Sequence, residues 1–121
     1  MVLVGKFFEL KEMVKGNNAF VAHIELNPNH IIYSAHFPGQ PVTPAVIQLK
    51  IVQELTALFL IKKIKLKEVI EAKFLKILNP VITKEVTLDI ALNTKDNLVN
   101  VKCVCKNSSE IFFKMKLIYS L

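Results

Sequence analysis

The run Thr43-Pro44-Ala45-Val46-Ile47-Gln48-Leu49-Lys50-Ile51-Val52-Gln53-Glu54-Leu55-Thr56-Ala57-Leu58-Phe59-Leu60-Ile61 is apolar on almost every side. Thr43 suits a helix N-cap and Pro44 the first helical position, so the spacing predicts a helix from there to about Ile61. A helix apolar all round is buried in protein or in lipid. Gln48, Lys50, Gln53 and Glu54 interrupt this one and argue against a bilayer span. The segment therefore reads as the central helix of a small globular protein.

What surrounds it reads as strand. Upstream, Phe7 to Val14 is a short, irregular strand candidate. Gly16, Asn17 and Asn18 signal a turn, and Phe20, Ala22, Ile24 and Leu26 then alternate with Val21, His23 and Glu25. Downstream, a Lys-rich connection (Lys62, Lys63, Lys65, Lys67) leads to a mixed apolar strand over Val69 to Leu78. Three alternating rows follow: Val86, Leu88, Ile90 and Leu92; Val99, Val101, Cys103 and Cys105; Ile111, Phe113, Met115, Leu117 and Tyr119. Tight turns at 95–97 and 107–109 make these a meander with one dry and one wet face. With one long helix, a doubly wound parallel sheet is excluded. The fold class is α+β, an antiparallel sheet wrapped on one hydrophobic helix, in a single domain over 1–121.

Composition agrees. The chain has 121 residues, 52% of them hydrophobic, with 3 Gly and 5 Pro, which excludes a disordered or low-complexity chain. A monomer this small buries about two thirds of its unfolded surface, so so apolar a chain is expected to bury more by forming an oligomer. The net charge is +6, and all 16 basic residues are Lys. Without the forked guanidinium of Arg, nucleic-acid readout is disfavoured, whereas loose attraction to an acidic partner is not. Cys103 and Cys105 lie on one face of a strand with no further metal ligands beside them. They read as buried structural thiols of a reducing, cytoplasmic compartment, not as a zinc site. The stretch Met1 to Met13 is too charged for a signal peptide.

Between the second strand and the helix, residues 31–44 read as a structured loop. Three prolines in seven residues (Pro38, Pro41, Pro44) stiffen it. This loop holds one imidazole, His36, and feeds into a helix N-terminus whose free N–H groups can polarise a carbonyl. A base beside a polarised thioester is what abstraction of a proton α to a carbonyl needs. His36 is the base candidate. The N–H groups of Gly39 and Ala45 are candidates for the carbonyl clamp, and Gly39 would allow close backbone approach to a ligand. Gln48 either lines the pocket or packs inside the helix. His30 is read as a brace of the loop, and His23 as a solvent-exposed strand residue.

The segment Asn27 to Gln48, above all His36-Phe37-Pro38-Gly39-Gln40-Pro41-Val42-Thr43-Pro44, resembles the signature of the β-hydroxyacyl-acyl carrier protein dehydratases, the FabZ type of hot-dog protein. Ala72-Lys73-Phe74-Leu75-Lys76 is similar to the strand that follows the helix there. The resemblance implies a hot-dog fold, a homodimer or higher homo-oligomer, and no metal or organic cofactor. It implies loss of water from 3-hydroxyacyl thioesters, carried on the phosphopantetheine arm of an acyl carrier protein, to give trans-2-enoyl thioesters. His36 would be the base, with Phe37, Gly39, Ala45 and Gln48 against the substrate.

In that family an acid on the partner subunit's helix completes the site, and its position here is Lys50. Ala45 stands where the family usually has Gly. Glu54, one turn after Lys50, could act as the acid, or Lys50 itself could. Otherwise dehydration is lost and the chain is an acyl-binding subunit partnering a complete dehydratase. The bland alternative is a Lys50–Glu54 ion pair. Lys62, Lys63 and Lys65 would steer the acidic carrier protein. A hot-dog thioesterase is a weaker reading.

Overall fold

The computed structural model describes residues 2–36 and 39–121. Its elements are β1 (Phe8–Lys15), β2 (Ala19–Leu26), α1 (Ile31–His36), α2 (Ala45–Leu60), β3 (Lys65–Phe74), β4 (Glu85–Lys95), β5 (Leu98–Lys106) and β6 (Ile111–Ser120). The strands form a six-stranded sheet in the order β1-β2-β4-β5-β6-β3, with every neighbouring pair antiparallel.

The alternating rows fall where their periodicity puts them. Phe20, Ala22, Ile24 and Leu26 of β2 and Val86, Leu88, Ile90 and Leu92 of β4 are buried, as are the inner rows of β5 and β6. α2 turns Ile47, Gln48, Ile51, Val52, Leu55 and Thr56 inward. Each large apolar side chain so buried contributes roughly 1.5–3 kcal/mol relative to exposure. Asp96 and Asn97 both have positive φ, which makes the β4–β5 turn the type that suits the twist of a hairpin.

Several expectations need correction. Ile111 is exposed, because a register shift beside Lys106 puts Phe112 in the core instead. The 31–44 stretch is not all loop: Ile31–His36 is a short helix. It fits because all three prolines come after it. The His30 ring accepts the Ile32 N–H at 3.1 Å, so His30 braces the start of this turn. The N-cap of α2 is Pro44, not Thr43, and no side chain caps it.

β3 begins four residues earlier than expected and takes in Lys65 and Lys67. Register shifts between Leu66 and Glu68 and between Val69 and Glu71 explain this. Leu66, Val69, Ala72 and Phe74 face Tyr119, Leu117, Met115 and Phe113, so one inner row is kept with irregular spacing. Bulges that insert an extra residue hide a strand from any test based on strict alternation.

α2 ends at Ile61, a β-branched residue in the left-handed region (φ 54°) and 83% exposed. That conformation costs an L-residue roughly 1–2 kcal/mol, and burial returns almost nothing here. Ile61→Gly is therefore expected to raise the unfolding free energy by about 1 kcal/mol in a urea titration. A loss of stability would mean that the Ile61 side chain has a packing role the isolated fold lacks.

Candidate active site

The N-terminus of α2 opens on a cavity of about 280 Å³ lined by Val42, Thr43, Ala45, Gln48 and residues 74–78. Thr43 organises it. Its N–H donates to the Leu78 carbonyl at 2.9 Å, its carbonyl accepts from Gln48 Nε2 at 2.9 Å, and its hydroxyl lies 2.9 Å from the Tyr33 hydroxyl. One buried residue thus ties α1, α2 and the β3–β4 connection together. Tyr33 stacks on Phe7 with ring centroids 4.9 Å apart. Burial pushes its phenol up to about 12, and the hydrogen bond to Thr43 pulls the other way. Nothing in the sequence singled out Tyr33 or Thr43 as partners, since polar groups ten residues apart carry no periodic signal.

No side chain caps α2, and Ile47 and Gln48 donate to the Pro44 carbonyl, which leaves the Ala45 and Val46 N–H groups at the head of the helix without a partner among the described residues. Ala45 heads that turn. Gln48 is 5% exposed, and its Oε1 has no hydrogen-bond partner among the described residues. Gln48 is thus buried in α2 and also forms part of the cavity wall.

His36 is the last residue of α1 and is exposed. Phe37, expected to touch substrate, lies outside the described residues, as does Pro38. Gly39 has φ +82°, and a Cβ there would meet no atom within 4 Å. Its left-handed backbone is what calls for glycine, rather than crowding from the rest of the chain.

Lys50 and Glu54 lie elsewhere. With Val4, Leu58, Lys62 and Lys63 they line a groove of about 730 Å³ on another side of α2. They do not pair with each other. Glu54 Oε1 accepts the Leu3 and Val4 N–H groups, both at 2.9 Å, and its Oε2 accepts the Leu3 N–H at 2.8 Å. This carboxylate holds the N-terminal segment, whose Leu3 and Phe7 are fully buried. Among the described residues no ion pair engages Lys50, Lys62, Lys63 or Lys65. Within one chain the expected residues are thus divided: Ala45 and Gln48 share the cavity, Lys50, Glu54, Lys62 and Lys63 share the groove, and His36, Gly39 and Lys65 line neither.

The remaining singled-out residues are structural in place. His23 is partly exposed, with Nδ1 3.0 Å from the Thr87 hydroxyl. Cys103 and Cys105 are buried free thiols, and burial raises both well above the ordinary thiol range. They are poor nucleophiles.

Two outcomes follow from these contacts. Glu54→Ala removes bonds from a charged acceptor and is expected to cost about 2–3 kcal/mol, with fast hydrogen exchange at Leu3 and Val4. Unchanged protection there would refute the anchoring role. The Tyr33 phenol ionises near 10 when unfolded and at about 12 when folded. Its contribution to stability is complete below pH 10 and is lost as pH rises towards 12. Tyr33→Phe is expected to flatten part of the alkaline decline in unfolding free energy, and an unaltered slope would contradict the assignment.

Comparison with known proteins shows the family and the fold. The ApeI-like family, described as ApeI dehydratase, matches residues 12–114. Among curated proteins none matches the chain. Among solved structures, the dehydratase heterocomplex ApeI:P from Xenorhabdus doucetiae superposes with a TM-score of 0.76 at 18% identity, covering 93% of this chain and 97% of that one. A hypothetical protein of Staphylococcus aureus, a Glu47Ala mutant, has a TM-score of 0.67 at 9% identity, covering 98% and 95%. A hypothetical thioesterase with coenzyme A from Streptococcus pneumoniae has a TM-score of 0.61 at 10% identity, covering 93% and 84%. At such identities these likenesses speak for the fold, which is the hot-dog fold. With its family match spanning most of the sequence, the chain belongs to the ApeI-like dehydratase family.

Proposed function

We propose that this chain is a subunit of a dehydratase that removes water from 3-hydroxyacyl thioesters of an acyl carrier protein, giving trans-2-enoyl thioesters. The observation that carries the reading is the uncapped N-terminus of α2 at the wall of a cavity, eight residues after His36, the C-terminal residue of α1. The free N–H groups and the positive end of the helix dipole stabilise the charge that grows on the thioester carbonyl. His36 takes the α-proton, electrons move into the new double bond, and the C3–O bond breaks. The leaving hydroxide takes a proton and departs as water. Phe37 and Gly39 would border the acyl group. No metal or organic cofactor enters these steps.

The proton donor is the open part. Glu54 spends both carboxylate oxygens on backbone N–H groups of its own chain, which favours Lys50, or a group on another chain, as the donor. A second subunit is also what the sheet asks for. β3 is an edge strand whose inner row remains open, with Leu66, Val69 and Phe74 at 38%, 42% and 44% exposure. Pairing that edge with another β3 would cover it and bring a second α2 alongside. A homodimer of single-domain chains is the simplest form. The alternative is a hetero-oligomer in which a complete dehydratase supplies the acid. Lys50 favours it, and the Xenorhabdus doucetiae relative is itself a heterocomplex.

Lys62, Lys63 and Lys65 carry unpaired charge beside the groove and suit an acidic carrier protein. Among the described residues no helix is long and apolar enough to cross a membrane, and two free thiols fit a reducing cytoplasm.

The test is intact-mass analysis of a 3-hydroxyacyl carrier protein incubated with the chain. Loss of one water is expected, slowed about 10²–10⁴-fold by His36→Ala. The double reversal Lys62→Glu, Lys63→Glu is expected to raise KM for the carrier-bound substrate, with kcat little changed. Binding without mass change would favour the acyl-binding subunit, and release of free carrier thiol would favour a thioesterase.

A further inference from the structure

Gln48 stands out among the buried polar groups. It is 95% buried, forms part of the wall of the α2 cavity, and is the one buried side chain with an unpaired polar atom among the described residues. Its orientation is set by chemistry. The Thr43 carbonyl oxygen can only accept, so the Gln48 NH₂ must face it at 2.9 Å and the amide oxygen must face away. A buried acceptor without a donor bears a desolvation cost that a ligand donor would recover. The free N–H groups at the head of α2 make the opposite demand: they need an acceptor.

A ligand that satisfies both carries a carbonyl and, close to it, a hydrogen-bond donor. Ala45 and Gln48 are three residues apart, roughly 4.5 Å along the helix axis. We infer that Gln48 Oε1 is a specificity-determining acceptor for the 3-hydroxyl of the acyl chain, read while the thioester carbonyl sits at the N-terminus of α2. This rests on the acyl-thioester reading above and extends it to selection of hydroxylated over saturated chains. The pantetheine amide N–H is the other donor on such a ligand, but it lies further from the thioester carbonyl than the 3-hydroxyl does. A site built to bond a hydroxyl rejects the analogue that lacks it, because its own polar group is left unpaired.

The experiment measures binding by calorimetry in the His36→Ala background, so that no turnover intervenes. Three probes separate the donors: 3-hydroxyhexanoyl N-acetylcysteamine, hexanoyl N-acetylcysteamine, and the ethyl thioester of 3-hydroxyhexanoate. The two hydroxylated probes are expected to bind at least about tenfold tighter than the saturated one. Gln48→Leu and Gln48→Met are expected to abolish that preference, so that the ratio of hydroxylated to saturated affinities falls to about one.

Equal affinities in the His36→Ala protein would overturn the inference even if neither Gln48 variant folds. So would a preference that survives both variants, or one that follows the amide and ignores the hydroxyl. Dehydration of the carrier-bound substrate without a hydroxyl preference removes this inference alone. A hydroxyl preference without dehydration removes the enzymatic reading and leaves a hydroxyacyl-thioester binder.

Discussion

α2 is too apolar to face water, and the inner face of the sheet is the surface that hides it. That single constraint orders most of the chain. β2, β4, β5 and β6 each supply an alternating inner row, and Ile51, Val52 and Leu55 pack into the surface they make. The loop into α2 and the N-terminal segment are then fastened by polar ties, a buried one through Thr43 at one end of the helix and a part-buried one through Glu54 along its side. Each tie satisfies backbone groups that burial would otherwise orphan.

The constraint is only half met within one chain. α2 is apolar on almost every side, yet Val46, Leu58 and Ile61 remain exposed, as do Leu66, Val69 and Phe74 of β3. The candidate chemistry is divided in the same way. Ala45 and Gln48 stand at the cavity, Lys50 stands in the groove on another side of the helix, and His36 lies at the end of α1. Open apolar surface and separated functional groups have one economical explanation, the second subunit proposed above. The hidden apolar area and the assembly of the site would then come from the same contact.

What could be read in advance follows from what leaves a periodic or compositional trace. Alternation located β2 and the meander, and uninterrupted apolarity located α2 and its central place. The His36 to Pro44 run carried the family resemblance, which the match over residues 12–114 supports at the level of a dehydratase family. Features with no period stayed hidden. β3 loses its alternation to two register shifts, α1 is too short to show a helical repeat, and Thr43 has the residue type of a cap but does not form one. From sequence Glu54 reads as an acid or as half of an ion pair, because only tertiary structure brings the Leu3 and Val4 N–H groups to it. Long-range bonds between a side chain and a backbone fifty residues away have no sequence signature.

The claim on which the functional account turns is that one chain is half of the working unit. Sedimentation equilibrium of the purified chain, over a wide concentration range, tests it most directly. The account predicts association to at least twice the 13.7 kDa chain mass, or, if the chain works in a hetero-oligomer, a mass shift on adding a complete dehydratase subunit. A chain that stays at its monomer mass in both settings while dehydrating substrate would contradict it.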